Sequence, residues 1–125
     1  MEFQTDLAKA KNHGSARSGF SHWWLQRMSA LLLLPTGLYI LWQFIALDSL
    51  AAVMVVNWIQ QPINAGMLLI FVLSAAYHGA LGIQVVLEDY VHHSGWLLAL
   101  RSLTYTVMIA LIFCSTYAVF KLLLG

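Results

Sequence analysis

The charged positions divide this chain into three long apolar runs. No Asp, Glu, Lys or Arg lies between Arg27 and Asp48, between Asp48 and Glu88, or between Arg101 and Lys121. A helix that spans a bilayer needs roughly 20 mostly apolar residues. The first and third gaps each fit one such helix. The middle gap is longer, but its early part carries Asn57, Gln60, Gln61, Pro62 and Asn64, which favour a loop. The pattern predicts transmembrane helices at 23–46, 63–87 and 98–122. Pro35 falls inside the first and is expected to bend it, because proline lacks a backbone donor. The segment "SLAAVMVVNWIQ" (49–60) predicts a short interfacial helix anchored by Trp58.

Composition supports an all-α membrane protein. The chain is 61% hydrophobic and 9% charged, far from the roughly 25% charge of a soluble domain. A net charge of +1 gives no reason to expect a nucleic-acid partner. The lone cysteine, Cys114, sits in an apolar run with no metal-site spacing around it and reads as a small apolar filler. No internal repeat is visible.

Lys9, Lys11, Arg17 and Arg27 precede or begin the first helix, and Arg101 follows the second loop, whereas the first loop has neither Lys nor Arg. The positive-inside rule then places the N-terminus and the 88–97 loop in the cytoplasm. Residues 1–22 read as a cytoplasmic tail and 23–125 as a single three-helix transmembrane domain. The tail is too polar for a secretory signal, and Glu2 and Asp6 argue against a mitochondrial transit peptide. A bacterial cytoplasmic membrane is expected rather than the mitochondrial inner membrane.

The chemistry concentrates in "YHGALGIQVVLEDYV", residues 77–91. Residues 3, 4, 7 and 11 apart share a helix face, so Phe71, Ser74, Ala75, Gly82, Val85 and Asp89 line up with His78. His78 and Asp89 differ by only about 20° in direction and about 16 Å in height. Ser74, Ala75, Gly79 and Gly82 are small, so another helix or a flat cofactor can approach closely. An ionisable group at this depth is a structural histidine hydrogen-bonded across a helix interface, a proton relay, or a metal or haem ligand. On the last reading, Ser74 is a candidate to fix the tautomer and Gly82 leaves room for a porphyrin face. His13, His22, His92 and His93 lie at or beyond helix ends, too far to reach the same iron. A second ligand would therefore come from another chain, a partner subunit or a second copy.

These residues resemble a known family. "HGALGIQVVLEDYV" is similar to the histidine–glycine–Asp-Tyr segment of the smaller hydrophobic (D-type) membrane anchor of succinate dehydrogenase, and "HWWLQRMSA" resembles the aromatic–arginine segment before that family's first helix. Three helices and a cytoplasmic N-terminus also match. The resemblance implies a subunit of succinate:ubiquinone oxidoreductase within a heteromeric haem-binding helix bundle. It implies that His78 is an axial ligand to a haem b shared with a larger cytochrome b anchor subunit. It places Arg27 near a haem propionate, with His22 the nearest candidate for a neighbouring histidine and His13 the alternative. It gives Tyr90 a hydrogen bond to ubiquinone and puts Asp89 beside that site. The implied partners are the larger anchor, an iron–sulfur subunit, a flavoprotein subunit and membrane lipid.

The chain has no flavin fingerprint and no cysteine cluster, so no catalytic residue is assigned to it and alone it is not expected to oxidise succinate. On the residues themselves, Asp89-Tyr90 also reads as a charged helix end with an interfacial aromatic, Arg27 as a snorkelling anchor, and Trp23-Trp24 as an interfacial belt. His92 and His93 are expected to face solvent. Two other functions fit: the anchor of a fumarate reductase, or a small proton-coupled transport or structural membrane protein using His78 as a relay.

Overall fold

The computed structural model describes residues 16–125, which fold into four helices joined by short turns. They are α1 (Ala16–Ile45), α2 (Ala52–Ile59), α3 (Pro62–Tyr90) and α4 (Ser94–Leu124). Three contain apolar stretches long enough to cross a membrane: Phe20–Ile45, Pro62–Tyr90 and Ser94–Leu124. The three predicted spans are therefore present, and each helix runs past its predicted limits at one end or both. The reasons are local. Pro62 occupies the first position of α3, where its fixed φ suits a helix start and no donor is lost. No glycine or proline interrupts Glu88-Asp89-Tyr90, so α3 continues through them and ends where Val91 N–H bonds Leu87 O at 2.9 Å. His93 caps α4, its Nδ1 accepting from the Trp96 N–H at 3.4 Å.

The long helices form an open row with α3 in the middle. α3 packs on α1 and on α4, while α1 and α4 do not pack on each other. The row is apolar outside and partly polar along its seams. Ser29, Thr36, Asn64, Ser74 and Gln84 are buried, whereas Leu34, Leu38, Trp42, Phe113 and many other large apolar side chains are exposed. In lipid the polar groups need partners from neighbouring helices and the apolar ones do not.

Two contacts set the α1–α3 seam. Gly37 lets the helices approach, since a Cβ there would lie 3.1 Å from Phe71 Cε2. At the end where α3 begins, Asn64 is fully buried; it accepts from Tyr39 Oη at 2.6 Å and donates to Trp58 O at 2.9 Å and to Gln61 Oε1 at 3.1 Å. This knot joins α1, α2 and α3. The expected short helix is present as α2, but Trp58 is not a surface anchor. It is buried against Phe44, with ring centroids 5.1 Å apart, because α2 folds back over the bundle end. α1 runs unbroken through Pro35, and Thr36 Oγ1 donates to Leu32 O at 2.6 Å.

Candidate functional site

His78 sits within α3, partly buried, facing α1. Its Nδ1 lies 3.0 Å from Ser29 Oγ and 3.2 Å from Gln26 O. Ser29 Oγ itself donates to Gln26 O at 2.9 Å. With the serine proton committed to that carbonyl, the consistent tautomer has Nδ1–H donating to the α1 acceptors. Nε2 then carries the unshared electron pair. The partner that orients the ring is thus Ser29 on the neighbouring helix rather than Ser74 on its own. Ser74 is one turn away and buried, but it lines a different groove between α1 and α3.

His78 lines a cavity of about 210 Å³ with Trp23, Gln26, Arg27 and Ala30. Arg27 is the cation of this cavity, its guanidinium 5.6 Å from the centre of the Trp23 ring. Beside it along α3, Gly79 and Gly82 are open: a Cβ at either would meet nothing within 4 Å. Of the small residues, Ser74 is buried in the α1–α3 seam, and Ala75 and Gly79 border a groove between α3 and α4. Phe20, Trp23 and Trp24 form an exposed aromatic group at this end, with centroid separations of 6.1 to 6.4 Å.

Asp89 and Tyr90 occupy the last turn of α3 and are exposed, Tyr90 at 79%. At 100° per residue, Tyr90 points about 120° from the direction of His78, and Asp89 about 20°. The arginine at this end goes to Glu88, which the sequence pattern did not single out: Arg101 Nη2 donates to Glu88 Oε1 at 2.8 Å. The same oxygen accepts from Gln84 Nε2 at 3.0 Å, and Gln84 Oε1 accepts from Tyr105 Oη at 2.8 Å. The four-residue spacing of Gln84 and Glu88 was the available signal. Tyr105 and Arg101 join them only because α4 packs beside α3.

His22 and Arg27 diverge. His22 lines a larger cavity that shares Trp23 and Gln26 with the His78 cavity but includes neither His78 nor Arg27. His13 lies outside the described residues. His92 and His93 are exposed, and Cys114 is exposed on α4.

These features define a three-span integral membrane protein with one histidine in its central helix and most of its described ionisable side chains at the end where α3 meets α4. Residues 1–119 match the family described as succinate dehydrogenase/fumarate reductase transmembrane subunit. The chain is 43% identical over 91 residues to the succinate dehydrogenase hydrophobic membrane anchor subunit of Rickettsia bellii, covering 72% of each chain. It is 34% identical over 93 residues to the subunit of the same name in Rickettsia conorii, covering 74% of each. It is 38% identical over 81 residues to the succinate dehydrogenase membrane anchor subunit of Reclinomonas americana, covering 61% of this chain and 66% of that one. No solved structure matches. The chain belongs to the succinate dehydrogenase/fumarate reductase transmembrane subunit family.

Proposed function

We propose that this chain is the smaller membrane anchor of a bacterial succinate:ubiquinone oxidoreductase, with its N-terminus in the cytoplasm. It holds the iron–sulfur and flavoprotein subunits at the cytoplasmic membrane and contributes one wall each to a haem b site and a ubiquinone site.

The observation that carries the haem assignment is the engagement of His78 Nδ1 by Ser29 Oγ and Gln26 O, 3.0 and 3.2 Å away. An imidazole held in this way keeps Nε2 unprotonated, the form that binds iron. Arg27 in the same cavity suits a propionate carboxylate. The cavity, about 210 Å³, is below the ~300–1,000 Å³ of a typical ligand pocket. A second chain is needed to complete it. A histidine of the larger anchor would supply the other ligand, since among the described residues no second histidine lines the His78 cavity. When bound, haem b supplies a one-electron carrier close to the quinone site.

Tyr90 is suited to the quinone. Its hydroxyl is exposed at the helix end, where a head group enters from lipid and an extrinsic subunit docks. It donates a hydrogen bond to a quinone carbonyl. Asp89 beside it accepts protons from the aqueous side and passes them on. With Arg101 committed to Glu88, a cation for Asp89 would come from a partner subunit.

The visible spectrum of the purified complex tests the reading. A b-type spectrum is expected from the native complex and is expected to disappear in His78→Ala while succinate oxidation by a soluble dye continues. An unaltered spectrum in His78→Ala would leave His78 as a structural histidine.

A further inference from the structure

At the end where α3 meets α4, adjoining the His78 cavity at Trp23 and Gln26, lies an open cavity of about 550 Å³ lined by α1, α3 and α4. Its polar rim carries both signs of charge. Glu88 Oε1 accepts from Arg101 and from Gln84, which leaves the second carboxylate oxygen for another donor. Arg101 uses one of its five N–H groups on Glu88. His22 Nε2 is buried at the cavity wall and has no partner among the described residues.

Below the rim the walls turn apolar. Leu25 and Tyr77 belong both to this cavity and to a groove of about 300 Å³ between α1 and α3, which runs into the apolar span along Met28, Leu32 and Leu73. A two-signed polar recess therefore opens onto a mostly apolar groove along the α1–α3 seam.

We infer that this double cavity holds one phospholipid with a primary-amine head group. The ammonium sits on the free oxygen of Glu88, the phosphate takes the remaining Arg101 donors and His22 Nε2–H, and one acyl chain lies between α1 and α3 along Leu25 and Met28. The charge pattern selects this occupant. A quinone head offers carbonyl acceptors and no donor, so it leaves Glu88 unmatched. A lipid with phosphate but no amine sets like charge against that carboxylate.

The test uses the intact complex in mild detergent, stripped of lipid by extended washing and examined by native mass spectrometry with added dioleoyl phosphatidylethanolamine, dioleoyl phosphatidylglycerol or decylubiquinone. One phosphatidylethanolamine per copy of this chain is expected to bind at least ten-fold more tightly than phosphatidylglycerol. Glu88→Gln should abolish that preference, and Arg101→Gln should weaken both lipids by about ten-fold or more, with Arg101→Lys restoring most of the binding. Should a charge variant fail to assemble, Leu25→Trp fills the junction without touching the ion pair and should also lose the bound lipid. Equal binding of the two lipids to the native complex would overturn the inference. So would retention unchanged in Glu88→Gln and Leu25→Trp, or displacement of the lipid by decylubiquinone.

Discussion

His78 of α3 and Ser29 of α1 meet at 3.0 Å across the seam between the two helices. This contact decides which ring nitrogen is free, so it sets what the histidine is able to bind. Ser29→Ala leaves Gln26 O as the remaining partner of Nδ1. Loss of an outer hydrogen bond to a ligating histidine weakens metal affinity by about 10–100-fold. The lower end is expected here, because one acceptor remains. Haem content per complex after gel filtration and the haem midpoint potential are the measurements. A shift in neither would separate Ser29 from the cofactor.

Tyr90→Phe removes one hydroxyl from an exposed helix end and disturbs no packing. A lost hydrogen bond to a bound carbonyl costs about 1–3 kcal/mol. Quinone reduction should fall roughly ten-fold or more, with succinate oxidation by a soluble acceptor near normal. Unchanged quinone reductase activity would make Tyr90 an interfacial aromatic.

Gly37 and Gly79 should respond differently to the same change. A Cβ at Gly37 would lie 3.1 Å from Phe71 Cε2, whereas one at Gly79 meets nothing within 4 Å. Gly37→Val should loosen the α1–α3 seam, at about 1–3 kcal/mol for overpacking, and lower the thermal stability of the complex. Gly79→Val should fit within this chain and impair what packs against that position. It is expected to lower haem content or recovery of the larger anchor. Equal thermal losses for the two variants would show that Gly79 is covered from within.

Asn64→Leu should be more damaging than Tyr39→Phe. Asn64 makes three hydrogen bonds and is buried. Its loss takes the acceptor from the Tyr39 O–H and one of two donors from the Trp58 carbonyl, which keeps the Gln61 N–H at 3.3 Å, while Gln43 Nε2 still donates to Tyr39 Oη at 3.0 Å. Hydrogen bonds between membrane helices average about 0.6 kcal/mol each, and an unsatisfied buried group adds about 1–3 kcal/mol. Proteolysis of the α1–α3 connection in detergent should report it, with Asn64→Leu cut several-fold faster than Tyr39→Phe.

The number of spans and the candidate histidine were legible in the order of residues alone. Bilayer thickness imposes a length on each apolar run, and the charges at Arg27, Asp48, Glu88, Arg101 and Lys121 mark where the runs stop. The shared face of His78, Gly82 and Asp89 follows from helical periodicity within one element. Tertiary structure decided what depends on how helices are turned toward one another. Ser29 lies 49 residues from His78, and no local pattern distinguishes it from Ser74, which periodicity favoured. Trp58 has the look of an interfacial anchor in sequence, yet the fold-back of α2 buries it against Phe44. His22 and Arg27, five residues apart on α1, point about 140° from one another, but that Arg27 and not His22 lies beside His78 was decided by how α3 packs on α1. Periodicity sets directions within one helix; the rotation of one helix against its neighbour is fixed by contacts such as Gly37 on Phe71, and these exist only once the chain has folded.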